Sequence, residues 1–403
     1  MAETTTDSEP ARTETGAGRG NRRWWTAAVF AYIVLEGAGL QMRGAVVPEL
    51  RRTFPVTDWQ LGLVAPAGTL GFLVVVVLVG AVAGRFRTRR LLFLGVVGTG
   101  VGVFLMGLAP SFGLFLAALL GRGMLTGVAR GTDRPLLSHL YPEARGRIFG
   151  YYDMMWAVGA TAGPVLVAVA VSLGNWRLAY FALAVAFVPV AALVWWLPAP
   201  EENGGDAPLD VAELRRIGRR PEVVAMALAV FLSTAVEGGL FTWLTTFAEG
   251  RLAGPLSTAS LSVMLAAYVP GRLVSGQLSE RFGYVRLSVG LAAVLIPALA
   301  YTFFLAEGLW LLVGFFAVGL TVSGLYPTLL AYGTEAVPEH SAPVNAMAAV
   351  TSAMGIAVAP AVMGFVIGDA GVAFAMQLLV VPAGLLLGLV VATDLLAGRA
   401  SET

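Results

Sequence analysis

The chain contains no cysteine and no lysine, and it has only two histidines among its 403 residues. Without cysteine there is no disulfide framework, thiol nucleophile or thiolate metal site. Both histidines, His139 and His340, lie near the ends of hydrophobic blocks, so we expect no metal site and no other cofactor. The 26 basic residues are all arginine and the formal net charge is +1, which argues against nucleic acid as a partner.

Charged residues are also scarce. They make up 13% of the chain, against 57% hydrophobic residues, and the mean hydropathy is +0.79. A soluble globular chain carries about one-quarter charged residues. The apolar residues here come in blocks of about 20, which is the length that crosses a bilayer as a helix. The composition therefore excludes ordinary soluble proteins and predicts a polytopic protein of the plasma membrane, with the lipid bilayer around it.

Hydrophobic blocks and polar punctuation predict twelve membrane spans in two halves. The N-terminal half (24–197) contains spans 1 to 6, at 24–46, 59–83, 90–109, 112–138, 148–172 and 177–197. The C-terminal half (222–393) contains spans 7 to 12, at 222–248, 257–279, 285–306, 309–334, 342–367 and 371–393. The remaining segments are a disordered tail (1–23), a polar linker (198–221) and a C-terminal tail (394–403).

The arginines distribute unequally between alternate loops. The two tails, the linker and the loops after spans 2, 4 and 8 together hold 18 arginines, and the loops on the opposite side hold five. Cytoplasmic loops carry an excess of positive charge. The asymmetry therefore predicts that both termini and the linker face the cytoplasm.

The two halves repeat each other. Residues 80–86, Gly-Ala-Val-Ala-Gly-Arg-Phe, lie 196 positions before residues 276–282, Gly-Gln-Leu-Ser-Glu-Arg-Phe. The same offset relates Gly159 to Gly355 and Pro164 to Pro360. Parallel repeats of six spans predict two pseudo-symmetric bundles around a central cavity, which is a transporter architecture.

Three motifs resemble those of the major facilitator superfamily. The loop signature Gly-x-x-x-Asp-Arg-x-Gly-Arg-Arg appears at 80–90 without its Asp and second Gly, and its repeat copy at 276–283 is better preserved. Span 4 contains Arg122-x-x-x-x-Gly127, and span 5 contains Gly159-Ala-Thr-Ala-Gly163-Pro164. The resemblance covers the chain after residue 23.

The resemblance implies an all-α membrane protein with 12 transmembrane helices in two six-helix bundles. It also implies a monomeric transporter, not an enzyme, that moves a small-molecule substrate by alternating access. The transport is either coupled to protons or another ion, or it is facilitated diffusion. The loop motif is expected to form a gate on the cytoplasmic side from five residues: Arg85, Arg89, Asp133, Glu280 and Arg281. Because Gly84 replaces the motif's acid, Asp133 or Asp153 is expected to serve as the partner of the loop arginines.

Three ionisable residues lie deepest in the predicted spans: Glu36 in span 1, Arg122 in span 4 and Glu237 in span 7. Such residues are costly in a bilayer unless they face a cavity or a partner. Spans 1 and 7 line the cavity in this superfamily, so the two carboxylates are expected to face each other and to bind protons, with Arg122 steering the proton site. The alternative is a carboxylate paired with Arg122 or Arg43, or one that accepts a hydrogen bond from Tyr32 or Tyr268.

Polar and aromatic residues around these charges are candidates for the cavity surface. They are Tyr32, Gln41, Arg43, Tyr152, Trp156, Trp243, Tyr268, Arg272, Tyr326 and Asn345. Aromatic rings stack on sugar faces, while amides and charged groups bind hydroxyls. Tyrosine and tryptophan also form belts at the membrane interfaces, which is the alternative for the aromatic members.

Two substrate classes stay open. The stretch Glu237-Gly-Gly-Leu-Phe-Thr-Trp243 in span 7 is similar to a segment of fucose and glucose permease relatives, which favours proton-linked transport of a sugar or similar small polar solute. The span 5 motif is associated with proton-coupled drug exporters, although its main effect is close helix packing. A membrane sensor or lipid-processing enzyme is a third reading, but no nucleophile elbow, P-loop or metal cluster is present.

Overall fold

The computed structural model describes residues 16–81, 87–199, 216–337, 339 and 341–400. Within these ranges the chain is almost entirely helical, apart from turns and one isolated bridge between Glu249 and Leu252. Ten of the described helices are long and apolar enough to cross a membrane. Large apolar side chains on the outer surface, such as Val185, Phe304 and Phe365, are exposed, as expected for a surface that faces lipid.

The first half contains the six expected spans. They are span 1 (Gly16–Ala45), span 2 (Asp58–Leu61 and Val64–Ala81), span 3 (Thr88–Leu108), span 4 (Phe112–Leu140), span 5 (Arg145–Ser172) and span 6 (Arg177–Trp196). A short helix, Val47–Thr53, follows span 1. The helix of span 1 begins at Gly16, so residues 16–23, which the sequence assigned to a disordered tail, extend it. The guanidinium group of Arg22 stacks on Tyr141 at 5.1 Å, which holds this extension against span 4.

The helices of the second half are interrupted more often than those of the first half. It contains span 7 (Pro221–Ala248), span 8 (Pro255–Ala266 and Tyr268–Phe282), span 9 (Tyr284–Ala300 and the π-helical turn Tyr301–Leu305), span 10 (Trp310–Val322 and Leu325–Ala336), and spans 11 and 12 (Ser341–Gln377 and Val380–Ala400). Span 8 is interrupted at Ala267, and spans 11 and 12 are joined through Gly371, whose φ of 84° favours glycine. Ten long helices therefore correspond to twelve crossings. Span 8 is divided into two shorter helices, and the beginning of span 12 is continuous with the helix of span 11.

Helix packing follows the sequence repeat. In the first half span 1 packs on span 5, span 2 on span 4, and span 3 on span 6. In the second half the equivalent pairs meet, namely spans 7 and 11, 8 and 10, and 9 and 12. The halves contact each other through two helix pairs that are equivalent by the repeat. Span 5 packs on span 8, and span 11 packs on span 2. The described helices therefore form two pseudo-symmetric bundles.

Glycines of the repeat create the closest helix contacts. A β-carbon on Gly159 of span 5 would lie 1.9 Å from the carbonyl oxygen of Val34 in span 1. Its repeat mate, Gly355 of span 11, would meet the carbonyl oxygen of Phe231 in span 7 at 2.6 Å. Gly159 and Gly355, which the 196-residue offset aligns, thus allow the same close contact between two helices in each half.

The halves meet closely on one side of the molecule. We call the side on which spans 1 and 7 end the far side, and the opposite one the terminus side. On the far side, a β-carbon on Gly44 would lie 1.7 Å from the carbonyl oxygen of Phe241, and the rings of Trp59 and Phe365 stack with centroids 6.0 Å apart. Arg52 forms an ion pair with Glu249 of the other half. The far side is therefore closed.

Candidate functional site

One face of span 1 carries a polar stripe. Tyr32, Glu36, Gly39 and Arg43 are spaced by three or four residues, which places them on the same face of a helix. This face meets span 4, because a β-carbon on Gly39 would lie 2.9 Å from Nη2 of Arg122. Glycine at this position thus makes room for the Arg122 guanidinium group inside the first bundle.

Arg122 binds the backbone of span 1 and not the carboxylate of Glu36. Its Nη2 donates a hydrogen bond of 3.3 Å to the backbone oxygen of Glu36, and its Nε is buried without a hydrogen-bond partner. The side chain of Glu36 is 6% exposed. No arginine of the described ranges lies within 4.0 Å of its carboxylate, so the pairing with Arg122 or Arg43 that the sequence left open is not formed.

Glu237 belongs to a second polar cluster in the other half. The hydroxyl of Tyr268 donates a 2.8 Å hydrogen bond to Oε1 of Glu237, which is the alternative that the sequence left open. The guanidinium group of Arg272 lies 5.5 Å from the ring centre of Tyr268. These three residues come from spans 7 and 8 and form a connected group below the closed far side.

Trp156 of span 5 joins this cluster to the first half. Arg272 lies 5.8 Å from the centre of a Trp156 ring, which is a cation–π contact between the halves. On its other side, the backbone oxygen of Trp156 packs on Gly37, where a β-carbon would lie 2.5 Å away. Trp156 therefore connects the residue next to Glu36 with Arg272, although the two glutamates belong to different clusters.

The other cavity candidates are dispersed. Trp243 is completely buried and donates a 3.1 Å hydrogen bond to the backbone oxygen of Pro360, which is a packing role. Gln41 is buried, and its Nε2 has no hydrogen-bond partner. Tyr326 is half-buried and Asn345 is exposed. The structure thus connects Tyr268, Arg272 and Trp156 with Glu237, and Trp243 has a packing role instead.

The charged residues Arg130, Asp133 and Arg134, which the sequence predicts as a solvated or latched cluster near the terminus side, belong to a buried network. Asp133 is completely buried and accepts a hydrogen bond from the hydroxyl of Tyr152 and a 2.6 Å bond from the backbone N–H of Arg134. Arg130 Nη1 donates a 2.5 Å bond to the same tyrosine oxygen. The network links spans 4 and 5, and it gives Tyr152 a partner inside the bundle. In the sequence, the signal for this network is that Arg130 and Arg134 lie one helical turn apart with Asp133 between them.

Of the expected gate, the described residue Arg89 contacts neither Asp133 nor Asp153. Arg89 donates to the backbone oxygen of Trp195 and stacks on its ring at 5.6 Å, while Asp133 is occupied in the buried network. Asp153, the other expected partner, pairs with Arg134 at 2.7 Å. The latch through Asp133 or Asp153 is therefore not formed with Arg89 in this state, because both acids already have partners on spans 4 and 5.

The remaining gate residues are Arg85, Glu280 and Arg281. Glu280 and Arg281 at the end of span 8 are exposed, and Arg281 stacks on the neighbouring Phe282 at 5.4 Å. Arg85 lies outside the described residues. Among the described residues, the ion pair and the closest backbone contact between the halves reported above lie on the far side, and Glu280 and Arg281 form no ion pair.

A family comparison agrees with this architecture. The family model described as Major Facilitator Superfamily matches residues 29–360. The chain belongs to the Major Facilitator Superfamily. Proteins of the Major Facilitator Superfamily are transporters, which confirms that the chain is a membrane transporter and not an enzyme.

Two curated superfamily relatives illustrate the range of similar proteins. The chain is 30% identical over 201 residues to the puromycin resistance protein of Streptomyces alboniger; the match covers 47% of this chain and 38% of that protein. The chain thus spans well under half of the length of this relative. It is 25% identical over 305 residues to the 3-(3-hydroxy-phenyl)propionate transporter of Escherichia coli, covering 73% of this chain and 74% of that one.

Solved superfamily structures share the fold. A bacterial homologue of the lysosomal transporter Spinster, in an inward-facing and unoccupied conformation, superposes with a TM-score of 0.77 at 18% identity, covering 92% of this chain and 96% of that one. The transporter FucP in its outward conformation gives a TM-score of 0.63 at 18% identity, with 91% and 97% covered. Both comparisons confirm the two-bundle fold.

Proposed function

We propose that the chain is a proton-coupled transporter of a small polar solute, such as a sugar, that binds between the two halves. The observation that carries this proposal is the pair of buried carboxylates. Glu36 has no cation within 4.0 Å among the described residues, and Glu237 has only the hydroxyl of Tyr268. A carboxylate that lies within a membrane span and forms no direct ion pair is a candidate to take up and release the coupling proton.

The polar cluster around Glu237 supports a polar substrate. Arg272, Tyr268 and Glu237 together offer a cation, a hydroxyl and a carboxylate, and Trp156 of the other half offers an aromatic face. A solute that binds to both halves at once stabilises one arrangement of the bundles over another, which is the requirement for alternating access. The similarity to a transporter of a small organic acid over 74% of its length also supports a small solute.

The test is flux into proteoliposomes under an imposed pH gradient, with a panel of monosaccharides and cationic drugs. Under this proposal the gradient drives uptake of a polar solute in the wild-type protein. Glu36→Gln loses gradient-driven uptake but keeps counterflow exchange, since exchange needs no net proton movement. Glu307→Gln, at an exposed glutamate on the far side, is the matched control and behaves as wild type. Unchanged pH dependence in Glu36→Gln contradicts the proposal.

Export of lipophilic drugs is the second candidate. It is favoured by the 30% identity to a puromycin resistance protein over 201 residues. The span 5 motif adds little, because Gly159 and Gly163 pack against the backbone of span 1 and are not available to a substrate. If the pH gradient drives flux of cationic drugs but of no monosaccharide, drug export is the function and transport of a polar solute is not.

The same proposal includes the organisation of the chain in the cell. We infer a monomer in the plasma membrane with both termini in the cytoplasm, in which the bundles 24–197 and 222–393 move as units about the linker 198–221. Of that linker, residues 200–215 lie outside the described ranges. With the termini in the cytoplasm, the closed far side is the side that faces away from the cytoplasm.

A further inference from the structure

Two arginines are buried in the first bundle without a carboxylate partner. Arg43 is 4% exposed and Arg122 is 2% exposed. Within the part of the chain that the structure describes, no Asp or Glu side chain lies within 4.0 Å of either guanidinium group. A buried charge without a counter-charge is strongly unfavourable, so this pair requires an explanation.

The hydrogen bonds of the two guanidinium groups are few and long. Arg43 Nη1 reaches the backbone oxygen of Ala65 at 3.4 Å, and Arg122 Nη2 reaches that of Glu36 at 3.3 Å. Nε of Arg122 has no partner. Because a guanidinium group carries several N–H donors, these two bonds use only a small part of what the pair can donate to protein acceptors.

Tyr180 of span 6 is a third donor in the interior of the first bundle. The hydroxyl of Tyr180 in span 6 is buried and has no hydrogen-bond partner. This group is within electrostatic range of both Arg43 and Arg122, and the two guanidinium groups are within range of each other. Spans 1, 4 and 6 thus contribute donors to one region of the first bundle, where none of the described Asp or Glu side chains forms an ion pair with either arginine.

The number of positive and negative charges in each buried group also indicates that Arg43 and Arg122 lack a counter-charge. Arg130 and Asp133 share Tyr152, and Arg272 and Glu237 share Tyr268, so each of these groups contains one charge of each sign. The group on the span 1 stripe contains Arg43 and Arg122 but only Glu36. It therefore has one uncompensated positive charge, and two when Glu36 is protonated.

We propose that the first bundle binds one anionic group between Arg43 and Arg122, with Tyr180 as an additional donor. The group is either a carboxylate of the transported solute or a free chloride ion. The solute arm rests on the proposed function, because it makes the transported polar solute an acid; the chloride arm does not. Binding to arginine favours carboxylates in particular, since the planar guanidinium fork matches them with two parallel hydrogen bonds.

The experiment measures the thermal unfolding midpoint of the purified full-length protein by tryptophan fluorescence. The buffer contains only a bulky sulfonate as its anion, and the pH is constant with no gradient, so proton coupling does not enter. The probes are sodium chloride and two matched pairs of neutral and acidic solutes, glucose with glucuronate and benzyl alcohol with benzoate. A ligand that binds only the folded state raises the midpoint in proportion to the logarithm of its concentration.

The expected result is that an acid, but not its neutral counterpart, raises the midpoint of the wild-type protein. Arg43→Gln and Arg122→Gln then need at least about tenfold more acid for the same shift, because each removes a charge-assisted hydrogen bond. Arg43→Lys keeps the charge and loses less. Arg251→Gln, at an exposed arginine on the far side, is the matched control and keeps the wild-type response.

Each outcome decides the proposal. A shift with chloride that the acids do not exceed assigns the site to a free ion. A shift with an acid beyond that of chloride assigns it to the solute. If neither chloride nor any acid raises the wild-type midpoint, or if the control Arg251→Gln loses the response together with the site variants, the anion site is overturned. That result leaves the flux test of the proposed function unaffected, because uptake of a neutral sugar needs no anion site.

Discussion

Arg52 of the first half forms an ion pair with Glu249 of the second half, at the far side of the molecule and 197 residues away in the chain. The same guanidinium group also pairs with Glu49 one turn earlier in its own helix. The neighbouring Arg51 pairs with Asp58 within the first half. One arginine therefore links the halves, and the arginine before it does not.

Removing the link between the halves shifts the conformational equilibrium. Arg52→Ala is expected to lower the ratio of closed to open molecules at the far side by up to about fivefold, since an exposed ion pair contributes at most about 1 kcal/mol. The natural absence of cysteine allows a direct measurement. Cysteines at Trp59 and Phe365, whose rings stack, report closure through their rate of crosslinking by a short bismaleimide. Arg51→Ala is the control, and an equal loss of crosslinking in both variants contradicts the assignment.

Close packing of spans 1 and 5 depends on Gly159. In Gly159→Ala the added carbon lies 1.9 Å from the backbone oxygen of Val34, so the helices must separate. We expect the free energy of unfolding to fall by roughly 1–3 kcal/mol, as for other overpacked sites. Gly150→Ala in the same helix meets nothing within 4 Å and is expected to be neutral or slightly stabilising. Thermal unfolding followed by tryptophan fluorescence compares them, and equal midpoints argue against this packing.

The buried network around Asp133 stabilises the first half. Asp133→Asn replaces a completely buried carboxylate that accepts bonds from Tyr152 and from the backbone of Arg134. Because Arg130 then lacks a buried counter-charge, we expect a loss of roughly 3 kcal/mol in the free energy of unfolding. Asp153→Asn removes an ion pair whose side chains are about half exposed, and should cost at most about 1 kcal/mol. If both variants lose a similar free energy of unfolding, the buried network contributes no more to stability than the exposed ion pair does.

Single cysteines test the orientation in the membrane. Ala253 lies exposed in the loop after span 7 on the far side, and Glu143 lies exposed between spans 4 and 5 on the terminus side. With the termini in the cytoplasm, Ala253→Cys reacts with a membrane-impermeant maleimide on intact cells, whereas Glu143→Cys reacts only after permeabilisation. The reverse pattern shows that the arginine asymmetry predicts the wrong orientation.

The sequence by itself determined the number of spans, their approximate bounds and the repeat. These depend on local properties, namely runs of about 20 apolar residues and the 196-residue offset that aligns Gly159 with Gly355. The resemblance to the superfamily followed from short local motifs, in spans 4 and 5 and in the loop after span 2. The candidate residues Glu36, Glu237 and Arg122 were also accessible from the sequence, since charge inside a hydrophobic block needs no knowledge of neighbours.

Only the tertiary structure decided which of those residues meet. No local pattern distinguishes an arginine that pairs with a carboxylate from one that binds a backbone carbonyl, as Arg122 does at Glu36. The partner of Asp133 lies on another helix, and that of Arg52 lies in the other half. Pairings of this kind depend on the rotation of each helix about its axis and on the conformational state. Both are fixed by packing across the bundle and not by the sequence of any one span.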